Sequence, residues 1–303
     1  MSPARTRALE TVSVEVPEHA LEAYEAALAA TCLSVAFFPV EASASWRLEA
    51  VRAIDQDAAP LTGALAIAAL TSGFAAEAER RPVEADGWLE RSYDAFPEQS
   101  IGRRFLIRGS HLPVSTMSGK IALRLDAGPA FGSGEHGSTR GCLRALETIA
   151  YRRPRSVLDL GTGSGILAVA AARLLRRRIV ATDIEPLSIR EARRNAVRNG
   201  VGRLVSPHLA NGWNSRPVLS AAPYDLVLTN IFARPLARMA SALATHLAPG
   251  GTAILAGLLR RQARFVIAAH RRVGLRVERV LTEGDWATIV MRAPRAVQGQ
   301  RGR

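Results

Sequence analysis

The run Val157-Leu-Asp-Leu-Gly-Thr-Gly-Ser-Gly165, followed at once by Ile166-Leu-Ala-Val-Ala-Ala-Ala172, constrains this chain more than any other stretch. It reads as a short buried strand, a turn of three alternating glycines and the start of a small-residue helix. Lacking Cβ atoms, Gly161, Gly163 and Gly165 let the backbone turn sharply and let a ligand lie against the peptide groups. A dinucleotide fingerprint beginning at Gly161 and Gly163 needs its third glycine at position 166, and that residue is Ile166. A different ligand is expected. At the end of the next apolar strand, Ile179-Val-Ala-Thr-Asp183, a carboxylate is placed to accept hydrogen bonds from two ribose hydroxyls. That position suits an adenosine-containing cofactor.

Strands and helices alternate on both sides of this motif. Upstream, Thr11–Val16 has period two, Pro17 opens a helix through Ala30, and Leu33–Phe38 reads as a second strand. Trp46–Arg52 alternates again, Leu61–Leu70 is an apolar helix, and a last strand falls near 76–83. The order βαββαβ is the ferredoxin-like arrangement, and it carries no catalytic constellation. From Asp86 to Ser118 periodicity is weak, as in a connecting segment that docks on its neighbours.

Seven further strands are placed at 156–160, 179–183, 204–208, 225–230, 252–256, 275–281 and 286–291, with helices between the first five and one after Ala256. Gly250-Gly251 marks a stop after a helix ending in Ala248-Pro249. The last two strands are joined only around Glu283-Gly-Asp285, too short for a crossover, so they form an antiparallel hairpin at one edge. The expected class is α/β: a doubly wound, mostly parallel seven-stranded sheet with an antiparallel C-terminal hairpin, preceded by a small ferredoxin-like α+β domain. The expected boundaries are 1–84 for the small domain, 85–118 for a linker, 119–293 for the catalytic domain and 294–303 for a disordered basic tail.

Composition narrows the partners. Two cysteines, Cys32 and Cys142, match neither a metal-site spacing nor a disulfide framework, which fits a reducing cytoplasm. The N-terminus has no apolar core of signal-peptide length, and Ala64–Leu70 is too short to span a bilayer, so no membrane is expected. The six histidines form no ligand-spaced cluster, so no metal is expected. The net charge of +13 is carried almost wholly by arginine, with Lys120 the single lysine. It is also divided: residues 1–80 hold eleven acids and five bases, the remainder sixteen acids and thirty-five bases. Basic runs such as Arg152-Arg153 and Arg176-Arg-Arg178 lack interleaved aromatics and read as solvated surface, so direct nucleic-acid binding is not expected to be required.

A second glycine-rich loop, Gly128-Pro-Ala-Phe-Gly-Ser-Gly-Glu-His-Gly-Ser-Thr139, runs into a helix over Arg140–Ile149 and suits a lid for one end of a cofactor. Thr139 falls at the helix start, where a hydroxyl and free backbone donors meet a carboxylate. Asn230 ends the strand Tyr224-Asp-Leu-Val-Leu-Thr-Asn and is expected to face the same crevice as Gly161 and Asp183. Ile231-Phe-Ala follows it in place of the two prolines and an aromatic with which nucleobase amino-methyltransferases grip a flipped base, so a base substrate is disfavoured.

The spacing Asp159-x-Gly161-x-Gly163-x-Gly165 resembles the first motif of class I S-adenosylmethionine-dependent methyltransferases. Ala130–Thr139, Val157–Ala168, Asp183 and Asn230-Ile231 together resemble the ribosomal protein L11 methyltransferase family over nearly the whole chain. Before residue 80 the resemblance rests on architecture alone. It implies S-adenosyl-L-methionine as cofactor, methylation of lysine side-chain and N-terminal amines of ribosomal protein L11, and a small domain that holds the substrate. It further implies cofactor contacts at Thr139, Gly161, Gly163, Gly165, Asp183 and Asn230. Ser133, Gly137 and Ser138 depart from it mildly, standing where members commonly have Thr, Pro and Thr. The acidic segment 1–80 suits a basic, lysine-bearing partner.

No residue stands out as a general base, and the catalytic assignment is left unknown, with Asn230 as an amine-orienting residue. Glu283, Asp285 and Trp286 are candidates for the substrate rim by position, while Glu135 and His136 lie in the glycine-rich loop. A monomer is expected. The rival acceptors are another protein's lysine or a small-molecule amine, and the rival class is an RNA-binding protein whose cofactor pocket has decayed.

Overall fold

Period-two alternation in the first strand sets up the N-terminal unit. In the computed structural model, which describes residues 9–32, 34–40, 45–82, 98–109, 119–125 and 137–295, β1 spans Leu9–Pro17 and turns Val12, Val14 and Val16 inward. The same alternation turns Glu10 inward, where it is 6% exposed. Its direct neighbour across the antiparallel pairing with β3 (Ser45–Ala53) is Arg52, which is fully buried. Arg52 Nε lies 3.3 Å from Glu10 Oε1, and the guanidinium also donates to the carbonyls of Gln56 and Asp57. With α1 (Leu21–Thr31), β2 (Ser34–Val40), α2 (Ala59–Ser72) and β4 (Ala78–Pro82) the order is βαββαβ, and the antiparallel sheet runs β2-β3-β1-β4. This is the ferredoxin-like arrangement. Tyr24 on α1 closes the unit: its hydroxyl donates to Phe74 O and accepts from Ala76 N, both at 2.8 Å.

The chain divides into two compact units, Met1–Ser92 and Tyr93–Arg303. The second opens with a small sheet of β5 (Gln99–Ile101), β6 (Phe105–Arg108) and β7 (Ile121–Arg124). Two of these strands fall inside the stretch read from sequence as a linker. Ile101, Phe105, Ile107 and Leu123 are buried and join the core beneath α3 (Gly137–Ile149), so apolar burial overrides the weak local pattern. Parts of that stretch, 85–97 and 110–118, lie outside the described residues, as do 296–303 of the basic tail.

All seven expected strands form: β8 (Val157–Leu160), β9 (Ile179–Asp183), β10 (Val205–Leu209), β11 (Tyr224–Asn230), β12 (Leu247–Leu259), β13 (Arg276–Glu283) and β14 (Trp286–Arg292). Their order is β10-β9-β8-β11-β12-β14-β13, parallel from β10 to β12 and antiparallel beyond. Between them lie α4 (Ile166–Leu175), α5 (Pro186–Arg198), α6 (Arg216–Ala221), α7 (Ala233–Arg238), α8 (Ala240–His246) and α9 (Ala263–Arg272). Alternation sorts the strand side chains onto two cores: Leu226, Leu228 and Ile254 on the face of α3 and α4, Val227, Ala253 and Leu255 on the face of α7 and α9. The helix expected to end at Ala248-Pro249 instead stops at His246, and those residues belong to β12. Pairing of Leu247 with Tyr224, with a register shift before Leu226, draws them into the sheet, and Gly250 absorbs the irregularity at φ +70°.

The chain winds outward from β8 to β10 and returns to β11 on the other side of β8. The crevice beyond the carboxyl ends of β8 and β11 is therefore the place for a ligand. No helix among the described residues is long and apolar enough to cross a membrane.

The inward Glu10–Arg52 pair yields a test. Removing one partner of a buried ion pair costs about 3–5 kcal/mol, and the two carbonyls that still hold Arg52 place Glu10→Ala near about 3 kcal/mol. Urea unfolding should show that loss, and Glu10→Leu with Arg52→Met should recover most of it. An unchanged midpoint for Glu10→Ala would contradict the assignment.

Candidate functional site

The glycine turn adopts the backbone its sequence demands. Gly161, Gly163 and Gly165 all have positive φ, at +74°, +52° and +82°. Space reinforces the requirement at two of them. A Cβ on Gly165 would sit 2.8 Å from Ala192 Cα of α5, and one on Gly161 would run into Ile231 Cγ2. Backbone bonds then pin the turn to β9: Gly161 N and Thr162 N both donate to Thr182 O at 2.8 Å.

Two carboxylates frame the turn from below and from the side. Asp159 is fully buried beneath it, and its Oδ2 accepts from the Thr162 hydroxyl at 2.6 Å and from Ala168 N at 3.0 Å. Asp183 ends β9 and is half-buried. Its Oδ2 accepts from Gly163 N at 2.9 Å and its Oδ1 from Glu185 N at 3.0 Å. A carboxylate offers about four acceptor positions, so one remains on each oxygen. Two hydroxyls on adjacent carbons match that pair.

The third wall comes from β11 and α3. Asn230 Nδ2 donates to Thr139 Oγ1 at 3.2 Å, joining residues ninety-one apart in sequence. Among the described residues, Asn230 Oδ1 is buried with no hydrogen-bond partner, and Ser138 Oγ, next to Thr139 in sequence, is likewise unpartnered. Ile231 follows directly and touches the glycine turn. Thr139, Asn230, Gly161, Gly163, Gly165 and Asp183, named from sequence, are thus joined through short contacts at the carboxyl ends of three strands. The start of α3 packs on the β13–β14 connection, where a Cβ on Gly137 would lie 2.7 Å from Trp286 Cδ1. Glu283, a candidate for the substrate rim, is held by Arg140 and Arg144 of α3. Residues 126–136, with Ser133, Glu135 and His136, lie outside the described residues, which resume at Gly137. Among the described residues no cluster of three or more His, Cys, Asp or Glu is arranged to hold a metal ion.

This geometry can be set beside known proteins. The sequence profile of the ribosomal protein L11 methyltransferase (PrmA) family matches residues 10–294. The chain belongs to this family. A ribosomal protein L11 methyltransferase of Rhizobium leguminosarum bv. trifolii is 44% identical over 71% of this chain and 73% of its own length. Another from Rhizobium meliloti is 44% identical over 70% and 72%. Among solved structures, a ribosomal protein L11 methylase from Lactobacillus delbrueckii subsp. bulgaricus superposes with a TM-score of 0.58 at 26% identity, covering 65% of this chain and 98% of that one. The cofactor of this methyltransferase is S-adenosyl-L-methionine. The residues present fit it: a turn whose three glycines carry no side chains, a carboxylate with paired acceptor positions at a strand end, and a buried amide oxygen with no hydrogen-bond partner among the described residues.

Asp159 was legible in the sequence only as the first letter of a spacing. Burial pushes its carboxyl up to about 7, against the Thr162 hydroxyl and Ala168 amide that favour the charged form, with Asp183 adding a smaller upward push. In an unfolded chain such a group ionises near ~4. Between those values the folded state holds the extra proton, so Asp159 makes stability fall as pH rises through that window and stay lower above it. The shift corresponds to roughly 4 kcal/mol at most. Urea midpoints at pH 5 and pH 8 should fall less steeply for Asp159→Asn than for the unaltered protein; coincident profiles would contradict a protonated Asp159.

Proposed function

We propose that this methyltransferase modifies lysine side-chain and N-terminal amines of ribosomal protein L11, with Thr139, Gly161, Gly163, Gly165, Asp183 and Asn230 holding the cofactor. The observation that carries the reading is the Asn230 amide oxygen, buried at the meeting point of β8, β11 and α3 with no donor among the described residues. Leaving such an acceptor unpaired costs about 1–3 kcal/mol, which an amine donor in the site recovers.

Asp183 takes the ribose hydroxyls on the acceptor positions left by the Gly163 and Glu185 amides. The glycine turn lies against the sugar and the methionine portion, and Thr139 at the first turn of α3 meets the carboxylate end. When bound, S-adenosyl-L-methionine supplies a methyl group on a cationic sulfur, open to in-line attack by a neutral amine. Asn230 Oδ1 accepts one N–H of the incoming amine and aims its lone pair. An amide oxygen takes no proton at neutral pH, so Asn230 orients and does not deprotonate. Among the described residues the nearby carboxylates are otherwise employed: Asp159 lies beneath the turn, Asp183 braces it, and Glu283 is paired with two arginines. A free lysine amine has a pKa of about 10.4. Desolvation in the crevice lowers it, so the ammonium gives its proton to solvent water on entry and arrives as the neutral nucleophile without a dedicated base.

Residues 1–84 form the substrate-holding domain in this reading. Eleven acids against five bases in residues 1–80 give it a field that attracts a lysine-bearing protein. The two free cysteines agree with work in the cytoplasm.

Labelled S-adenosylmethionine offered with purified L11 and a panel of other ribosomal proteins should label L11; label confined to another protein would overturn the substrate. Asp183→Ala should raise the calorimetric Kd for the cofactor about tenfold or more, since charged hydrogen bonds contribute about 1.5–3 kcal/mol. Asn230→Ala should lower kcat about tenfold or more with a smaller change in cofactor Kd. An unaltered Kd in Asp183→Ala would show that the ribose sits elsewhere.

A further inference from the structure

A second cavity, of about 280 Å³, opens at the opposite end of the sheet and has no part in the methyl-transfer site. Arg152, Arg153, Arg155, Asp225, Thr252 and Arg292 line it. It sits at the amino end of β11, where Asp225 lines it five residues before Asn230, about 17 Å away at roughly 3.3 Å per residue. Four guanidinium groups face one carboxylate there. That carboxylate is engaged by the backbone: Asp225 Oδ2 accepts from Arg155 N at 2.7 Å and Ser156 N at 3.2 Å.

The positive groups divide into fixed and available ones. Thr252, 2% exposed, accepts from Arg152 Nη1 at 2.9 Å and from Arg292 Nη1 at 3.2 Å, so one buried hydroxyl positions two guanidiniums. Glu278 grips Arg152 in a two-pronged pair at 2.6 and 2.8 Å, and that pairing holds the Glu278 carboxyl below its usual range. Arg153 and Arg155 are exposed and make no ion pair among the described residues. The backbone helps present them. Arg153 takes a left-handed conformation at φ +51°, and Gly250 adds no side chain to the floor. Beside this cluster stands Tyr151, 74% exposed, with the Arg152 guanidinium carbon 5.4 Å from its ring centre. The arginine run thus has an aromatic at its edge, Tyr151 standing directly before Arg152 in sequence.

We propose that this cavity binds the phosphodiester backbone of single-stranded RNA, with a base stacked on Tyr151. Arginine forks match phosphate oxygens in geometry as well as charge. Arg292, positioned by Thr252, holds one phosphate while Arg152 stays with Glu278, Arg153 and Arg155 follow the strand outward, and an exposed ring beside a guanidinium is the platform on which single-stranded bases stack. A free phosphate offers the ring nothing, so Tyr151 distinguishes RNA from a small anion. The site stands apart from the donor crevice and does not depend on the identity of the methyl acceptor.

Fluorescence anisotropy with the full chain and a labelled single-stranded RNA of about twelve nucleotides tests it, a length within the usual span of such sites. Arg153→Glu with Arg155→Glu should weaken binding at least tenfold and lower the slope of log affinity against log salt by about 1.4, the equivalent of two phosphate contacts on a single strand. Tyr151→Ala should weaken it about fivefold or more. A charge-matched control, Arg264→Glu with Arg271→Glu on exposed positions of α9, should stay within about twofold of the unaltered protein, and all three variants should keep methylation of L11. Equal losses in the control and cavity variants would reduce the effect to net charge and overturn the proposal. So would an unaffected Tyr151→Ala, or displacement of the RNA by inorganic phosphate at constant ionic strength.

Discussion

The Asp183 carboxylate ties the turn after β8 to the end of β9, and the donor site depends on that tie. Its hydrogen bond from Gly163 N holds a turn whose three glycines have no side chains to fix them. Its second oxygen caps the entry to α5 through Glu185 N. One group thus sets the spacing between two parallel strands, braces the turn and keeps acceptor capacity facing the crevice. The strand order makes this effective. Because the chain reverses its direction of winding between β8 and β11, no connection crosses above the turn.

The other wall follows from a different economy of polar groups. A protein interior seldom leaves buried polar atoms without partners, yet among the described residues Asn230 Oδ1, Ser138 Oγ and Asp159 Oδ1 stand unpaired around one crevice. Each lies on a segment that the glycine turn or α3 brings together. In the proposed reading, a bound ligand makes up that lost stability. Asp159 belongs to the same pattern, since its buried carboxyl supports the turn at the cost of a proton held up to about pH 7.

How far this was legible in the sequence depended on whether the signal was local. The spacing of glycines 161, 163 and 165, the carboxylate at 183 and the alternation of strands and helices are properties of short windows, and each reappears in the fold. The contact between Thr139 and Asn230 is not local; residue type made both candidates, but only the sheet brings them within 3.2 Å. The small β5–β7 sheet escaped for a related reason. Phe105–Arg108 is too short to show a period, and its parallel partner Ile121–Arg124 begins thirteen residues after Arg108. At Ala248-Pro-Gly-Gly251 local turn chemistry pointed to a helix end, and parallel pairing of Leu247 with Tyr224 drew the segment into a strand instead. Glu10 illustrates the converse: a charged residue at an inward strand position, whose meaning emerges only when Arg52 is found opposite it.

The central claim is that the crevice between β8 and β11 delivers methyl groups to L11. The most direct measurement is the intact mass of L11 isolated from a strain lacking this protein, with and without a restored copy. L11 should be lighter in the deletion strain by whole numbers of methyl groups, regain its mass with the unaltered copy, and stay light with a copy carrying Asn230→Ala. L11 of identical mass in all of these strains would contradict the account.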